Sequence, residues 1–207
     1  MYVMRKARQA VVQGGNGTLG GYFDPKFGAH AIKVLPGEYV VTGDDVMLVT
    51  LLGSCVSACI RDRLSCIGGM NHFMLPDSEC GEGDSARYGA YAMEMLINEL
   101  LKYGAVRDRL EAKVFGGGAV MASLTASNVG ERNSEFVKEY LAAERIPMVA
   151  QDLGDTCPRR VHFFPASGRV MLKRLPTAQE AEVLAGESLY QRRLRQEPTS
   201  GGVELFS

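Results

Sequence analysis

The sequence predicts an α+β fold in a single domain, and three observations carry that prediction. Short apolar runs separated by polar turns outnumber the helical segments. Strand and helix do not alternate regularly, as a doubly wound parallel sheet would require. A chain of 207 residues has the length of one domain with extensions. It is long enough to bury roughly 70% of its unfolded surface around a core without covalent staples. Apolar residues at 46% and charged residues at 23% are close to globular averages, which excludes a disordered or collagen-like chain.

Residues 1–30 are rich in Gly and mixed charge, show no sustained period, and are expected to form a flexible N-terminal arm. Strands are predicted at 31–34 and 39–42 around Pro36-Gly37, then at 46–52, ending at Gly53-Ser54. Further strands are expected at 56–61 and 66–75, with a polar connection at 62–65. A helix over 85–103 places Tyr88, Ala92, Met95, Leu96 and Leu100 on one face, with Gly104 as its stop. A strand at 110–115 precedes a second helix over 133–145, where Phe136, Val137, Tyr140 and Leu141 repeat at helical spacing. Asn133 or Ser134 supplies its cap, and Pro147 bars its continuation. Strands at 148–152, 160–164 and 169–175 complete the domain. Strands this short predict mostly antiparallel pairing around two main helices.

After Pro176 the texture changes. Thr177 and Glu180 have capping-box spacing, and 181–195 reads as a helix whose Arg192, Arg193 and Arg195 make a solvated end. The expected organisation is therefore an arm (1–30), one domain (31–175) and a C-terminal helical extension (176–207).

A formal net charge of −1 leaves no basic surplus to neutralise a phosphate backbone, which argues against a general nucleic-acid binder. The most apolar stretch, 46–60, is interrupted by Thr50, Gly53, Ser54 and Ser57 and falls short of the ~20 residues that span a bilayer. No secretory signal is read near the N-terminus, where Gly-Gly-Asn-Gly stands in place of an apolar run. Five cysteines leave one unpaired in any full pairing, and the expectation is free thiols in a reducing cytoplasm.

Chemistry concentrates at 50–56, Thr-Leu-Leu-Gly-Ser-Cys-Val. A buried strand running into Gly53-Ser54 presents Cys55 on a turn, where a rigid element holds a nucleophile and backbone N–H groups can approach an oxyanion. His72 follows seventeen residues later in Gly-Gly-Met-Asn-His-Phe-Met-Leu-Pro. If its strand pairs near 56–61, the imidazole lies beside Cys55 and lowers a thiol pKa that is ordinarily ~8.5. The competing reading makes both residues part of the core, since buried cysteine is common. A zinc site is disfavoured. Cys55, Cys59, Cys66 and Cys80 lack paired Cys-x-x-Cys knuckles, and Cys55 and Cys59 on one strand would sit ~13 Å apart. Cys59 and Cys66 are expected in the core and Cys80 in an exposed loop. Phe115-Gly-Gly-Gly118 lacks the ending of a phosphate loop and reads as tight backbone packing, and 128–133 reads as loop plus cap. His30 and His162 have no visible partner.

Taken together, 50–56, the His-x-Met-Leu-Pro of 69–76, 88–96, Lys-Val-Phe-Gly-Gly-Gly at 113–118 and Asn-x-Gly-x-Arg-Asn at 128–133 resemble, in order, the CheD family of bacterial chemotaxis proteins. The resemblance covers roughly residues 31–175. It implies a three-layer α/β/β fold, shared with deamidating toxins of the cytotoxic necrotizing factor type. The activity it implies is conversion of selected glutamines on cytoplasmic chemoreceptor helices to glutamate. Cys55 and His72 fall on the family's catalytic Cys and His. The family's Thr stands six residues before the Cys, where this chain has Val49; Thr50, five before, is the hydroxyl that would complete a triad. The resemblance implies no metal and no cofactor, a protein substrate, and for some members a CheC-type phosphatase partner. A cysteine protease or transglutaminase would use the same pair of residues, and an adaptor without catalysis would use neither.

Overall fold

The structure, a computed structural model, describes residues 11–13, 21–76, 82–119, 129–176 and 180–196. The strands are β1 (Val11–Gln13), β2 (Gly21–Asp24), β3 (Ala29–Lys33), β4 (Tyr39–Thr42), β5 (Met47–Leu52), β6 (Val56–Asp62), β7 (Gly68–Asn71), β8 (Leu110–Gly116), β9 (Met148–Leu153), β10 (Arg159–Phe164) and β11 (Arg169–Arg174). The helices are α1 (Glu82–Tyr103), α2 (Val129–Ala143) and α3 (Glu180–Gln196), with one 3-10 turn at Arg107–Arg109. One sheet runs β1-β4-β7-β6-β8-β9 and the other β11-β10-β5-β3-β2. Pairing is antiparallel except for β3 with β5 and β8 with β9.

Three layers follow from which faces are apolar. In β6, Val56, Ala58 and Ile60 pack with Met93, Leu96, Ile97 and Leu100 of α1 and with Val137 and Leu141 of α2. On the other face of the same strand, Cys59 joins Met70, Met74 and Phe115 against Leu48, Leu52, Val161 and Phe163 of the second sheet. A strand covered on both faces carries small or apolar residues on each, and β6 does so from Val56 to Ile60, with the small Ser57 as its one polar side chain there, before Arg61 and Asp62. The layers are therefore helices, first sheet and second sheet, the α+β arrangement expected. Fully burying each such Leu or Phe contributes about 1.5–3 kcal/mol.

The structure corrects several local expectations. Within the expected arm, β1 pairs with β4 and β2 with β3, so parts of 11–30 belong to the sheets. Such edge pairing uses backbone groups, and the mostly exposed β2 has no apolar period to announce it. Residues 1–10 and 14–20 lie outside the described residues. Helix α2 begins at Val129, so Asn133 and Ser134 are buried inside the helix rather than capping it. Strand β7 is shorter than the predicted 66–75, because Asp62 draws the preceding turn tight. Its Oδ1 accepts from the backbone N–H groups of Leu64 and Ser65, and its Oδ2 from Val106 N and the Arg109 guanidinium. Cys66 sits at the end of that turn with φ 59° and is exposed, not in the core. Cys59 is buried, Cys157 is half-buried, and Cys80 lies outside the described residues. The stretch 116–118 does pack backbone on backbone. Gly116 has φ 112°, and a Cβ there would stand 2.1 Å from the Cys55 carbonyl oxygen.

Candidate active site

The turn joining β5 to β6 is Gly53-Ser54-Cys55, and all three of its carbonyls are tied down on one side. Gly118 N donates to Gly53 O at 2.7 Å and Gly117 N to Cys55 O at 2.8 Å. Asn133 Nδ2 donates to Ser54 O at 2.8 Å, while its Oδ1 accepts from Leu75 N at 2.8 Å. The three N–H groups of the turn are thereby left to converge elsewhere, and they meet on one carboxylate. Gly53 N and Cys55 N each donate to Glu187 Oε1 at 2.9 Å, and Ser54 N donates to Glu187 Oε2 at 2.9 Å. Ser54 Oγ adds a fourth hydrogen bond to Oε2 at 2.7 Å. Gly53 is required here, since a Cβ would come within 2.8 Å of that carboxylate. Successive amides aimed at one point make an anion-binding concavity.

His72 follows β7 and is held by its own backbone: His72 N donates to Glu38 O at 3.0 Å and Gly37 N to His72 O at 2.8 Å. Its Nδ1 lies 2.8 Å from Thr50 Oγ1. The Thr50 hydroxyl donates its proton to Val34 O at 2.7 Å, so its oxygen is left to accept from Nδ1–H. That hydrogen bond selects the tautomer with Nε2 unprotonated. Nε2 is buried and has no hydrogen-bond partner among the described residues. Strand parity makes Thr50 the residue that reaches the ring. Leu48, Thr50 and Leu52 share one face of β5, whereas Met47 and Val49 pack on the opposite face with Ala31 and Phe164.

One ligand-type atom each of Cys55, His72 and Glu187 lies within 4.8 Å of the others. All three side chains are buried, at 0%, 2% and 1% exposure. Burial lowers the His72 pKa to about 4, against an opposing pull from the Glu187 charge. Burial, then the charge and hydrogen bond of Glu187, pushes the Cys55 thiol well above its usual range. In this arrangement the pair is a neutral thiol beside a neutral imidazole.

A Cys, a His and a Glu so close together could serve a metal ion by type. Here both carboxylate oxygens are already taken by four donors, and Nδ1 is engaged by Thr50. The donor set fits an anion held by amides better than a carboxylate turned toward a cation.

Cys55, His72 and Thr50, each singled out from the sequence, lie together. Two further residues of the site carry little sequence signal. Glu187 lies beyond Pro176, in the C-terminal helical extension, outside the span of the family resemblance. Its one signal is a lone carboxylate in the apolar stripe Val183, Tyr190 and Leu194. Asn133 has the residue type and position of a helix cap, which conceals its role at the turn.

The family model "CheD chemotactic sensory transduction" matches residues 74–174. A Dechloromonas aromatica protein named probable chemoreceptor glutamine deamidase CheD 1 is 58% identical over 187 residues, covering 89% of this chain and 93% of its own. Proteins named probable chemoreceptor glutamine deamidase CheD from Xanthomonas campestris pv. campestris and Methylobacillus flagellatus are 56% and 53% identical. They too match 89% of this chain, covering 93% and 94% of their own lengths.

Proposed function

Since the chain belongs to the CheD family, we propose that it deamidates glutamine side chains of chemoreceptors to glutamate, with Cys55 as the nucleophile. The observation that carries the reading is a thiol beside the free Nε2 of an oriented imidazole, on a turn whose three amides converge on one carboxylate. Acyl transfer through a thioester needs this set of groups: a nucleophile, a base with a fixed tautomer, and donors for an oxyanion.

The steps follow from the groups present. His72 Nε2 takes the Cys55 proton as Sγ attacks the amide carbon of the substrate glutamine. The developing oxyanion is held by amides of the Gly53-Ser54-Cys55 turn. The imidazolium returns its proton to the departing ammonia, leaving a thioester. His72 then deprotonates the water that hydrolyses it, and the thiol is restored. Thr50 acts as a positioning residue, accepting from Nδ1–H throughout, as the third member of a triad does. The segment 31–175 supplies these groups, and α3 lies over them. No helix among the described residues is long and apolar enough to cross a membrane, and we assign the protein to the cytoplasm, where receptor signalling helices lie.

Mass spectrometry of a receptor cytoplasmic fragment incubated with the protein tests this directly. The expected result is Gln-to-Glu conversion at discrete sites with release of ammonia, absent with Cys55→Ala. A fragment unchanged after long incubation, or equal conversion by Cys55→Ala, would remove the reading.

A further inference from the structure

Helix α3 buries Val183, Glu187, Tyr190 and Leu194, a stripe at spacings of four, three and four, while Leu189 on another face is 55% exposed. The buried stripe is apolar except for Glu187. Burying a carboxylate costs several kcal/mol unless it is fully partnered. Its partners among the described residues are three amides, a hydroxyl and the Cys55 thiol, not a cation. The helix lies in a trough with open space on both sides. A cleft of about 680 Å³ is lined by Val34, Thr50, His72, Val183 and Glu187. A cleft of about 290 Å³ on the other side is lined by Gly37, His72, Tyr88 and Tyr190. His72 borders both. Gly37, with φ 83°, makes room for the Tyr190 ring, which a Cβ there would approach to 2.9 Å, and Tyr190 Oη is hydrogen-bonded to Tyr88 Oη.

A reaction that turns glutamine into glutamate ends with a carboxylate beside the thiol and on the oxyanion donors. Glu187 is such a carboxylate, delivered on a helix. We propose that α3 is an internal stand-in for the substrate helix, with Glu187 in the seat of the product side chain, so that a receptor helix is served only when it displaces α3. The proposal rests on the deamidase reading and adds two things to it. The site is closed by its own chain, and the stripe on α3 describes the partner: a helix with apolar side chains four residues before, three after and seven after the target glutamine. A tethered competitor acts at an effective concentration on the order of mM, so free substrate binds well below its intrinsic affinity. With Glu187 seated the thiol is also held protonated, so the seated state is chemically idle as well as covered.

The full-length Glu187→Gln variant tests this. Its new side-chain amide can set the carbonyl oxygen on the Gly53 and Cys55 amides, with the NH₂ in the place of Oε2, donating to Ser54 Oγ at the loss of the Ser54 N–H bond, which presents a substrate-like group to Cys55 within its own chain. Attack forms the Sγ–C bond and breaks C–N; ammonia leaves with the thiol proton relayed by His72, and water then returns the thiol and leaves a glutamate. Peptide mass spectrometry of the purified Glu187→Gln protein is expected to find glutamate at position 187, or a thioester from Cys55 to that side chain, lacking ammonia. The Cys55→Ala, Glu187→Gln double variant is expected to retain its introduced glutamine. Glu187→Ala is expected to raise kcat/KM on a receptor cytoplasmic fragment roughly tenfold or more, chiefly by lowering KM. An intact glutamine in a Glu187→Gln protein that still deamidates the fragment would overturn the stand-in and leave the deamidase reading standing. An intact glutamine there, with no turnover of the fragment by the parent protein either, would overturn both. A folded Glu187→Ala protein with unchanged or lower kcat/KM would show that Glu187 supports the site instead of occupying it, and would overturn the stand-in.

Discussion

Cys55 and Cys59 lie four residues apart, both are buried, and burial raises both thiols. Yet their surroundings differ in kind. Cys59 is sealed between two sheets, among Leu48, Met70, Phe115 and Val161, and nothing short of unfolding would uncover it. Cys55 sits on a turn, beside a base with a free nitrogen and an array of amides, and α3 is seated over that array. Burial alone therefore does not tell the two thiols apart. What differs is whether the cover is a core between two sheets or a single helix, and whether polar groups converge beside the sulfur.

The largest effect should break the pair apart. Cys55→Ala is expected to reduce deamidation by at least ~10⁴-fold, because the nucleophile itself is lost, while the melting temperature stays near that of the parent. Activity assay and thermal melt on the same sample check both halves.

The pH dependence of stability comes next. The folded pKa of His72, about 4, lies below its ordinary 6.5, so between these values the unfolded chain binds the extra proton. The His72 contribution is fully present above pH 6.5 and is lost as pH falls toward 4, by on the order of 3 kcal/mol. Urea unfolding at pH 7 and pH 4.5 should show a smaller difference for His72→Gln than for the parent. Equal differences would mean that the imidazole is not held neutral by burial.

Thr50 sharpens the comparison at the level of a single strand. Thr50→Ala is expected to lower kcat about tenfold or more and Thr50→Ser to restore most of it, since an unanchored imidazole aims its proton poorly. Val49→Ala, on the opposite face of β5, should lower thermal stability and leave kcat per folded molecule unchanged.

Cys59→Ala is expected to cost about 1–2 kcal/mol in urea unfolding with turnover retained, the mirror image of Cys55→Ala. The smallest effect belongs to Cys66, outside both environments. A thiol reagent added to the native protein should label Cys66 well before Cys59, and Cys66→Ser should change stability by less than about 0.5 kcal/mol.

Much of this was legible from residue order, for a physical reason. Cys55 and His72 are joined by one short path, turn to β6 to β7, in which adjacent strands pair antiparallel, so a local pattern was enough to bring them together. The two main helices were legible because each buries one face and so shows a helical period, and the central strands because burial on both faces leaves short apolar runs between polar turns. The start of α2 was not, because tertiary packing buries Asn133 in the helix and commits its amide to Ser54 and Leu75.

The sequence by itself determined the α+β class and singled out Cys55 on its turn and His72 as a candidate pair, both of which depend on contacts between near neighbours. Only the tertiary structure decided the rest. It turned Thr50 toward the His72 ring and Val49 to the opposite face, because the facing of a strand residue depends on which sheet covers it. It paired β1 and β2 into the sheets, because edge pairing is made by backbone groups that carry no side-chain pattern. It also brought Glu187 to amides 132 to 134 residues away. A contact that distant leaves no period in the chain, and only the packing of α3 into its trough brings a carboxylate to donors that would otherwise stand empty.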